Sequence, residues 1–424
     1  MDYIVNGGNK LYGELPIYGA KNCALACLGA SLLTEGQVTL VGVPQIVDVD
    51  NMLRLLTAMG KKVVRFGDVV AVSGGVTSTA VSAECAHLLR GSALVLGSAL
   101  GRYGSVALPL PGGCAIGARP MDIHCDGLRA MGVSVCDCGD LLTAEGRPHG
   151  VDYSLRFASV GATENLLCAA VLGDGTFVLR NCATEPEVTA LAKLLVAMGA
   201  KIGGVGRSSL TVTGVTELHG ATMGIIPDRI VAATYLAAVC ACGGKLLLTH
   251  YPSEYMTAFE TATCKNAEIK RFDDAAEVTV KRRVKSVGHI VTAPYPAFHT
   301  DMQSLALTLA ATAKGKSVIS EKLFENRLRH NAVQLACMGA DIRVSGDTAF
   351  VSGTNLHGAE VTCADLRGGA ALTVAALCAE GCSTVSDTMH IDRGYVALDK
   401  CLHSVGADIR RKQSFDDGFV NAIH

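Results

Sequence analysis

The stretch 196-VAMGAKI-202 decides the fold, because the chain repeats it. Further copies stand at 57-TAMGKKV-63, 129-RAMGVSV-135, 336-ACMGADI-342 and 403-HSVGADI-409, with a degenerate one, 264-CKNAEI-269, in the gap between the third and fifth. Each reads as the last turn of a helix, a glycine that ends it, and the first residues of a strand. The copies recur about every 70 residues, so six units account for nearly all of the 424 residues.

The units share one plan. An alanine-rich helix comes first, as in 161-GATENLLCAAVLGDG-175 or 302-MQSLALTLAATAKG-315, and a strand follows, as in 176-TFVLRN-181 or 316-KSVIS-320. A second helix then carries apolar residues at helical spacing: Met52, Leu55, Leu56 and Met59 in the first unit, Val188, Leu191, Leu194, Leu195 and Met198 in the third. In the third unit, Thr184-Glu185-Pro186-Glu187 reads as a capping box with proline in the first turn. Two short alternating strands complete the unit, as in 201-KIGGVGRSSLTVTG-214. The expectation is an α/β protein with three units to a domain.

Composition narrows the function classes. Apolar residues make up 49% and charged residues 18%, yet no apolar run approaches the ~18 residues that span a bilayer. The segment 91-GSALVLGSALG-101 is short and broken by glycine, which suits a buried helix. The first ten residues carry no basic, apolar leader pattern, and a net charge of −2 argues against a general nucleic-acid binder. A cytoplasmic protein without membrane or nucleic-acid partners is expected. Most of the 17 cysteines sit among alanines and leucines, where cysteine acts as a small hydrophobe. The tight pair Cys136 and Cys138 has no matching second pair, so no metal is expected.

Chemistry concentrates in two places. In 108-LPLPGGCAIGARPMDIH-124, Cys114 follows two glycines and lies between Pro111 and Pro120, with Arg119 five residues on. A thiol on such an arm beside a guanidinium suits an acid or nucleophile working on an anion. The second place is the helix starts. Lys21, Arg90, Thr163–Asn165, Asp228–Arg229, Asp301 and Arg367 fall near the starts of first helices. Asp48–Asp50, Arg119, Glu185, Glu254, Arg327 and Arg393 fall near the starts of second helices. Capping explains the acids, but arginine opposes the helix dipole at an N-terminus. Its repeated placement there points to a bound anion.

The motifs 19-GAKNCAL-25, 111-PGGCAIGARPMDIH-124, 159-SVGATEN-165, 227-PDRI-230, 300-TDMQ-303, 324-FENR-327, 365-DLR-367 and 390-HIDRGY-395 occur in this order from end to end. In them the chain resembles the UDP-N-acetylglucosamine enolpyruvyltransferases. The resemblance implies a two-domain inside-out α/β barrel, with three repeats per domain. Residues 21–227 would form the first domain and 1–20 with 228–424 the second, the active site lying in the cleft between them. It implies transfer of the enolpyruvyl group of phosphoenolpyruvate to the 3-hydroxyl of UDP-N-acetylglucosamine. Phosphate would leave by addition and elimination, in the first committed step of peptidoglycan synthesis, with no cofactor.

Residue roles are likewise implied by the resemblance. Cys114 would protonate the phosphoenolpyruvate methylene, could form an adduct with it, and would be the target of the epoxide fosfomycin. Asp301 would take the proton from the sugar hydroxyl. Lys21, Arg119 and Arg393 would hold the phosphate and Arg367 the carboxylate, with Asn22 touching both substrates. Arg90, Arg119, Pro120, Met121, Asp122, Ile123, Ser159, Val160 and Gly161 would bind the nucleotide, and Leu323 would flank the sugar or uracil. Glu185, Asp228, Arg229, Arg327 and Asp365 would form a supporting charged network. Phosphoenolpyruvate carries about three negative charges, which by itself calls for several cations.

Two positions depart from the family pattern. Phe157 stands where some relatives carry a lysine near the diphosphate, and His299 stands where a proline often precedes Thr-Asp. Two other readings share many of these features: a shikimate-type enolpyruvyltransferase, and a catalytically silent paralogue that binds UDP-sugar. The Cys114 loop and SVGATEN favour the sugar-nucleotide branch over the first. Retention of Cys114, Asp301, Lys21 and Arg393 argues against the second.

Overall fold

The strand Val38–Val41 has the parallel strand Thr222–Gly224 on one side and the antiparallel strand Val69–Ser73 on the other, with Lys62–Phe66 outermost. This order recurs. Thr176–Arg180, Gly244–Thr249 and Lys316–Ser320 each sit between a parallel strand (Asp152–Ser154, Leu11–Pro16 and His289–Val291) and the inner strand of an antiparallel hairpin. A three-stranded sheet joins Ser105–Pro109, Leu141–Glu145 and Ser134–Asp137. These descriptions come from a computed structural model, which describes residues 1–84, 92–109 and 121–412. It shows a mixed α/β fold with six sheets among those residues.

The sheet formed last in the sequence is built differently. Cys382–Ser386 has its parallel neighbour Glu360–Thr362, but its antiparallel neighbour is Asp2–Asn6, from the other end of the chain. Asp2–Asn6 in turn pairs with Asp408–Lys412. The N-terminal strand is therefore interior to its sheet, with Tyr3 and Val5 fully buried.

The Met-Gly signature has a backbone cause. Gly60, Gly132, Gly199, Gly339 and Gly406 all lie at φ between 81° and 108°. Side chains rarely tolerate that region, and it turns each chain out of its helix into the next strand. The carbonyls of Met59, Met131, Met198 and Met338 then accept the N–H groups of Thr77, His149, His219 and His357 at 2.8–2.9 Å, tying the end of each helix to a later connection. The capping-box expectation is corrected at the third unit. The N-cap is Glu185, without a side-chain cap; Thr184 instead donates to the Tyr295 carbonyl at 3.2 Å, and only Pro186 keeps its expected place.

Two sets of helices form the interior. Lys21–Ala30, Val95–Tyr103 and Val160–Ala170 pack together, and so do Arg229–Cys242, Gln303–Thr312 and Leu366–Cys378. Most are apolar all round, which fits helices with no solvent face. One buried apolar cluster draws on residues 20–225; the other draws on 3–17 and 230–409. The chain crosses between them at 18–20 and 226–228. There Ala20 N–H donates to Ile226 at 2.7 Å and Asp228 N–H to Tyr18 at 2.9 Å. Both crossings end on a helix start, and this delivers charged residues from both clusters to one place.

Candidate active site

Asp228 organises that place. It caps the helix Arg229–Cys242, one carboxylate oxygen accepting from the N–H groups of Ile230 and Val231 at 2.7 and 3.1 Å. Its other oxygen accepts the backbone N–H of Lys21 at 3.0 Å. One buried carboxylate thus anchors the starts of two helices from different clusters.

Two further carboxylates each hold a pair of cations. Asp48, in the first turn of the helix Val47–Ala58, accepts from Lys21 Nζ at 3.0 Å and from Arg393 Nε at 2.9 Å and Nη2 at 3.2 Å. Asp301 accepts from Arg327 Nη1 at 3.0 Å and Arg367 Nε at 3.2 Å. Burial alone would raise the Asp301 carboxyl. Arg367 and Arg327, with His299 and Lys21 behind them, outweigh it and hold the group well below its ordinary value. Asp48 is lowered likewise, Lys21 and Arg393 overcoming desolvation. Burial also lowers the Lys21 ammonium, opposed by Asp48 and reinforced by Arg367 and Arg393.

The cations are not saturated by this. Arg367 is buried beside Tyr395, whose ring centroid lies 5.9 Å from the guanidinium carbon. Both terminal nitrogens of Arg367 lack a well-aligned hydrogen bond among the described residues, Tyr395 giving only a loose contact. Buried guanidinium nitrogens are seldom left so, and an arriving anion would fill them. Arg367 itself is fixed from behind: Asp365 caps its helix, accepting from the N–H groups of Arg367 at 2.9 Å and Gly368 at 3.2 Å.

His299 has a role the sequence did not reveal. Its Nδ1 accepts the N–H of Asp301 at 3.1 Å, capping the short turn Thr300–Met302. Burial, with Arg229 adding to it, pushes the imidazole down to about 3, so it stays neutral and Nδ1 remains an acceptor. Below it, buried Glu321 accepts from Thr292 at 3.1 Å, from Thr300 at 2.8 Å and from the N–H groups of Leu323 and Phe324 at 2.8 and 3.1 Å. Leu323 and Asp301 are therefore braced by the same carboxylate. A second brace joins the clusters where Arg229 pairs with Glu187 at 3.0 Å and Glu185 accepts the N–H of Tyr295 at 3.3 Å.

Among the residues singled out from the sequence, Lys21, Asp228, Asp301, Arg327, Asp365, Arg367 and Arg393 meet at this centre, and Asn22 stands half-buried beside Lys21. Arg393 does so from an unexpected element. It follows the four-residue helix Met389–Asp392 instead of opening a helix, so its charge stands at a favourable C-terminal end. Ser159 caps the helix Val160–Ala170, its hydroxyl accepting from Ala162 at 3.4 Å, with Val160 and Gly161 in the first turn. Met121 precedes the helix Asp122–Ala130, where Asp122 pairs with Arg156 and Ile123 N–H donates to Asp122 at 2.8 Å. Arg90, Cys114, Arg119 and Pro120 lie outside the described residues.

Asp48 was read only as a helix-start acid and Glu187 only as part of a capping box, neither as a partner of the site's cations. Asp48 had a signal, an acid in a helix's first turn, but nothing in sequence tells a cap from a shared counter-ion. Among the described residues no group of three or more His, Cys, Asp or Glu side chains could hold a metal ion, and no helix is long and apolar enough to cross a membrane.

The sequence pattern of the EPSP synthase (3-phosphoshikimate 1-carboxyvinyltransferase) family matches residues 5–402. The UDP-N-acetylglucosamine 1-carboxyvinyltransferase of Cellvibrio japonicus is 42% identical over 418 residues, 97% of this chain and 99% of that one. That of Desulforapulum autotrophicum is 42% identical over 417 residues, 97% of this chain and 100% of that one. The chain belongs to the UDP-N-acetylglucosamine enolpyruvyltransferase family. Its fold matches that of the enolpyruvyl transferase NikO from Streptomyces tendae, with a TM-score of 0.86 at 21% identity over 96% of this chain and 98% of that one. EPSP synthase from Acinetobacter baumannii superposes with a TM-score of 0.73 at 18% identity, over 97% of this chain and all of that one.

Proposed function

We propose that the protein transfers the enolpyruvyl group of phosphoenolpyruvate to the 3-hydroxyl of UDP-N-acetylglucosamine, releasing phosphate and opening peptidoglycan synthesis in the cytoplasm. The observation that carries this reading is the centre in which Asp48 and Asp301 each hold two cations while the terminal nitrogens of Arg367 stay open. A compact trianion with a carboxylate and a phosphate suits it: Arg367 takes the carboxylate as a fork, and Lys21 and Arg393, with Arg119, take the phosphate. The working frame is two lobes, 21–227 and 1–20 with 228–424, each an inside-out α/β barrel of three units, with the substrates in the cleft.

In the addition step the sugar hydroxyl oxygen bonds to C2 of phosphoenolpyruvate, C3 gains a proton from the Cys114 thiol, and Asp301 removes the hydroxyl proton. In the elimination step C3 gives a proton to the Cys114 thiolate, the double bond returns, and the C2–O bond to phosphate breaks, the leaving phosphate taking the proton held by Asp301. A carboxylate held as low as Asp301 is a weak base while its two arginines are otherwise idle. Bound phosphoenolpyruvate shares their charge, which raises Asp301 toward the strength a base needs. The reading thus makes the base substrate-activated. Asn22, Arg90, Pro120 to Ile123, Ser159 to Gly161 and Leu323 would position the sugar nucleotide.

The test is phosphate release from phosphoenolpyruvate with UDP-N-acetylglucosamine, with and without fosfomycin. Release that needs the sugar nucleotide and is lost after the epoxide supports both the reaction and Cys114. The Cys114→Ser protein is expected to escape alkylation, lose most turnover and still bind sugar nucleotide. Release dependent on shikimate 3-phosphate, or binding without turnover, overturns the reading.

A further inference from the structure

Cys136 and Cys138 have no part in the chemistry above. They stand on the edge strand Ser134–Asp137 and just beyond it, both exposed, with their sulfurs 3.3 Å apart. Residues two apart on a strand face the same way. The turn that follows keeps them so: Cys138 N–H donates to Leu141 at 3.0 Å and Gly139 N–H to the Asp137 carboxylate at 3.0 Å. The buried neighbours Cys23 and Cys27, 4.0 Å apart, offer an oxidant no such access.

The two thiols differ in their surroundings. Cys136 borders a space of about 220 Å³ whose walls include Thr79, Ser105, Ser134, Thr143 and Glu145. Hydroxyls and a carboxylate suit the ammonium and amide groups of a small peptide. Such a molecule held there would present its sulfur to Cys136, leaving Cys138 at van der Waals distance behind. The sulfurs need only a short side-chain movement to reach the ~2.05 Å of a disulfide.

From this juxtaposition we infer that Cys136 and Cys138 form a reversible dithiol site for low-molecular-weight peptide disulfides, Cys136 attacking and Cys138 resolving. In the first step the Cys136 thiolate bonds to one sulfur of the small disulfide, whose S–S bond breaks and releases one small thiol. In the second the Cys138 thiolate bonds to Cys136 sulfur and displaces the second small thiol. The protein pair loses two electrons and two protons, and both are recovered in the two small thiols. The Cys138 thiol, pushed up by its hydrogen bond to Cys136, is the one that keeps its proton in the first step. The inference does not depend on the reaction proposed above.

The probe is oxidised glutathione, applied to the full-length reduced protein, followed by tryptic digestion and mass analysis. The peptide 130–156 contains Cys136 and Cys138 and no other cysteine. In the unsubstituted protein it is expected to lose two hydrogens, carry no glutathione, and return to its starting mass with dithiothreitol. Cys138→Ser is expected to accumulate one glutathione on Cys136. Cys136→Ser should acquire a glutathione on Cys138 more slowly, because that thiol does not line the cavity. Stable adducts on the unsubstituted peptide, or an unmodified dithiol, overturn the site. A faster adduct in Cys136→Ser than in Cys138→Ser overturns the assignment of Cys136 as the attacking thiol. Because both residues are exposed, serine leaves the fold intact, and unchanged circular dichroism checks this.

Discussion

Arg367 shows why charge alone does not describe the site. Its Nε holds Asp301 at 3.2 Å, its terminal nitrogens are buried without a well-aligned hydrogen bond among the described residues, and the Tyr395 ring centroid lies 5.9 Å from the guanidinium carbon. Lysine would keep the charge and lose the fork. One charged hydrogen bond is worth about 1.5–3 kcal/mol, so Arg367→Lys should lower kcat/KM for phosphoenolpyruvate about 10- to 100-fold or more, with KM rising. Initial rates across phosphoenolpyruvate concentrations check this; an unchanged KM would remove Arg367 from the substrate's carboxylate.

Buried histidines set a different residue-scale expectation. Burial pushes His124 down to about 4, while its Nδ1 meets the Asn165 amide at 3.1 Å, and His299 lies at about 3. Between the ordinary value near 6.5 and these folded values, the unfolded chain takes up protons that the folded chain refuses. Stability therefore falls as pH drops through that window. For His124 the full displacement corresponds to about 3 kcal/mol. His124→Gln, which can still pair with Asn165, should flatten that part of the dependence. Thermal unfolding from pH 7 to pH 4 measures it, and identical slopes in both proteins would count against the assignment. Asp48 and Asp301 contribute in the opposite range: their folded values lie below the unfolded one, so their stabilisation is intact above about 4 and fades only in stronger acid.

At the scale of elements, the helices Val95–Tyr103 and Val160–Ala170 approach each other closely. A Cβ on Gly97 would sit 2.0 Å from the Asn165 carbonyl oxygen, and one on Gly101 2.9 Å from that of Cys168. The Asn165 side chain also accepts the Gly97 N–H at 2.7 Å. Gly97→Ala must push two helix backbones apart, and should cost upwards of about 3 kcal/mol, more than Gly101→Ala. Denaturant unfolding of both variants tests the ranking. Elements like these were legible where their cause is local. The Met-Gly ends and the buried faces of Met52, Leu55, Leu56, Val188 and Leu191 follow from helical spacing and a glycine-only backbone region. What depends on partners distant in sequence was not legible. Thr184 reads as a cap until Tyr295 is placed beside it. Asp48 reads as a first-turn acid until Arg393, 345 residues away, arrives on it. Most charged residues of the centre were found individually from motifs, but which carboxylate serves which cations needed the fold.

For the whole molecule the informative element is Asp2–Asn6, the strand farthest in sequence from its partners. It fills the interior of a sheet between Cys382–Ser386 and Asp408–Lys412, and it buries Tyr3 and Val5 in the cluster that spans 3–17 and 230–409. Full burial of two such side chains contributes about 1.5–3 kcal/mol each, before the two hydrogen-bonded ladders are counted. The 20–225 cluster closes instead through Thr222–Gly224 on Val38–Val41. Deleting residues 1–8 should therefore open the second cluster while the first keeps its protection. Hydrogen exchange followed by peptide is the direct measurement. Fast exchange confined to 228–412 is the expected result, with turnover lost because Asp301, Arg367 and Arg393 all belong to that part. Wild-type protection throughout would make the strand dispensable. Protection lost equally from both parts would mean that the two clusters fold as one cooperative unit through Asp228, Asp48 and Arg229. The braces between the clusters would then couple their unfolding.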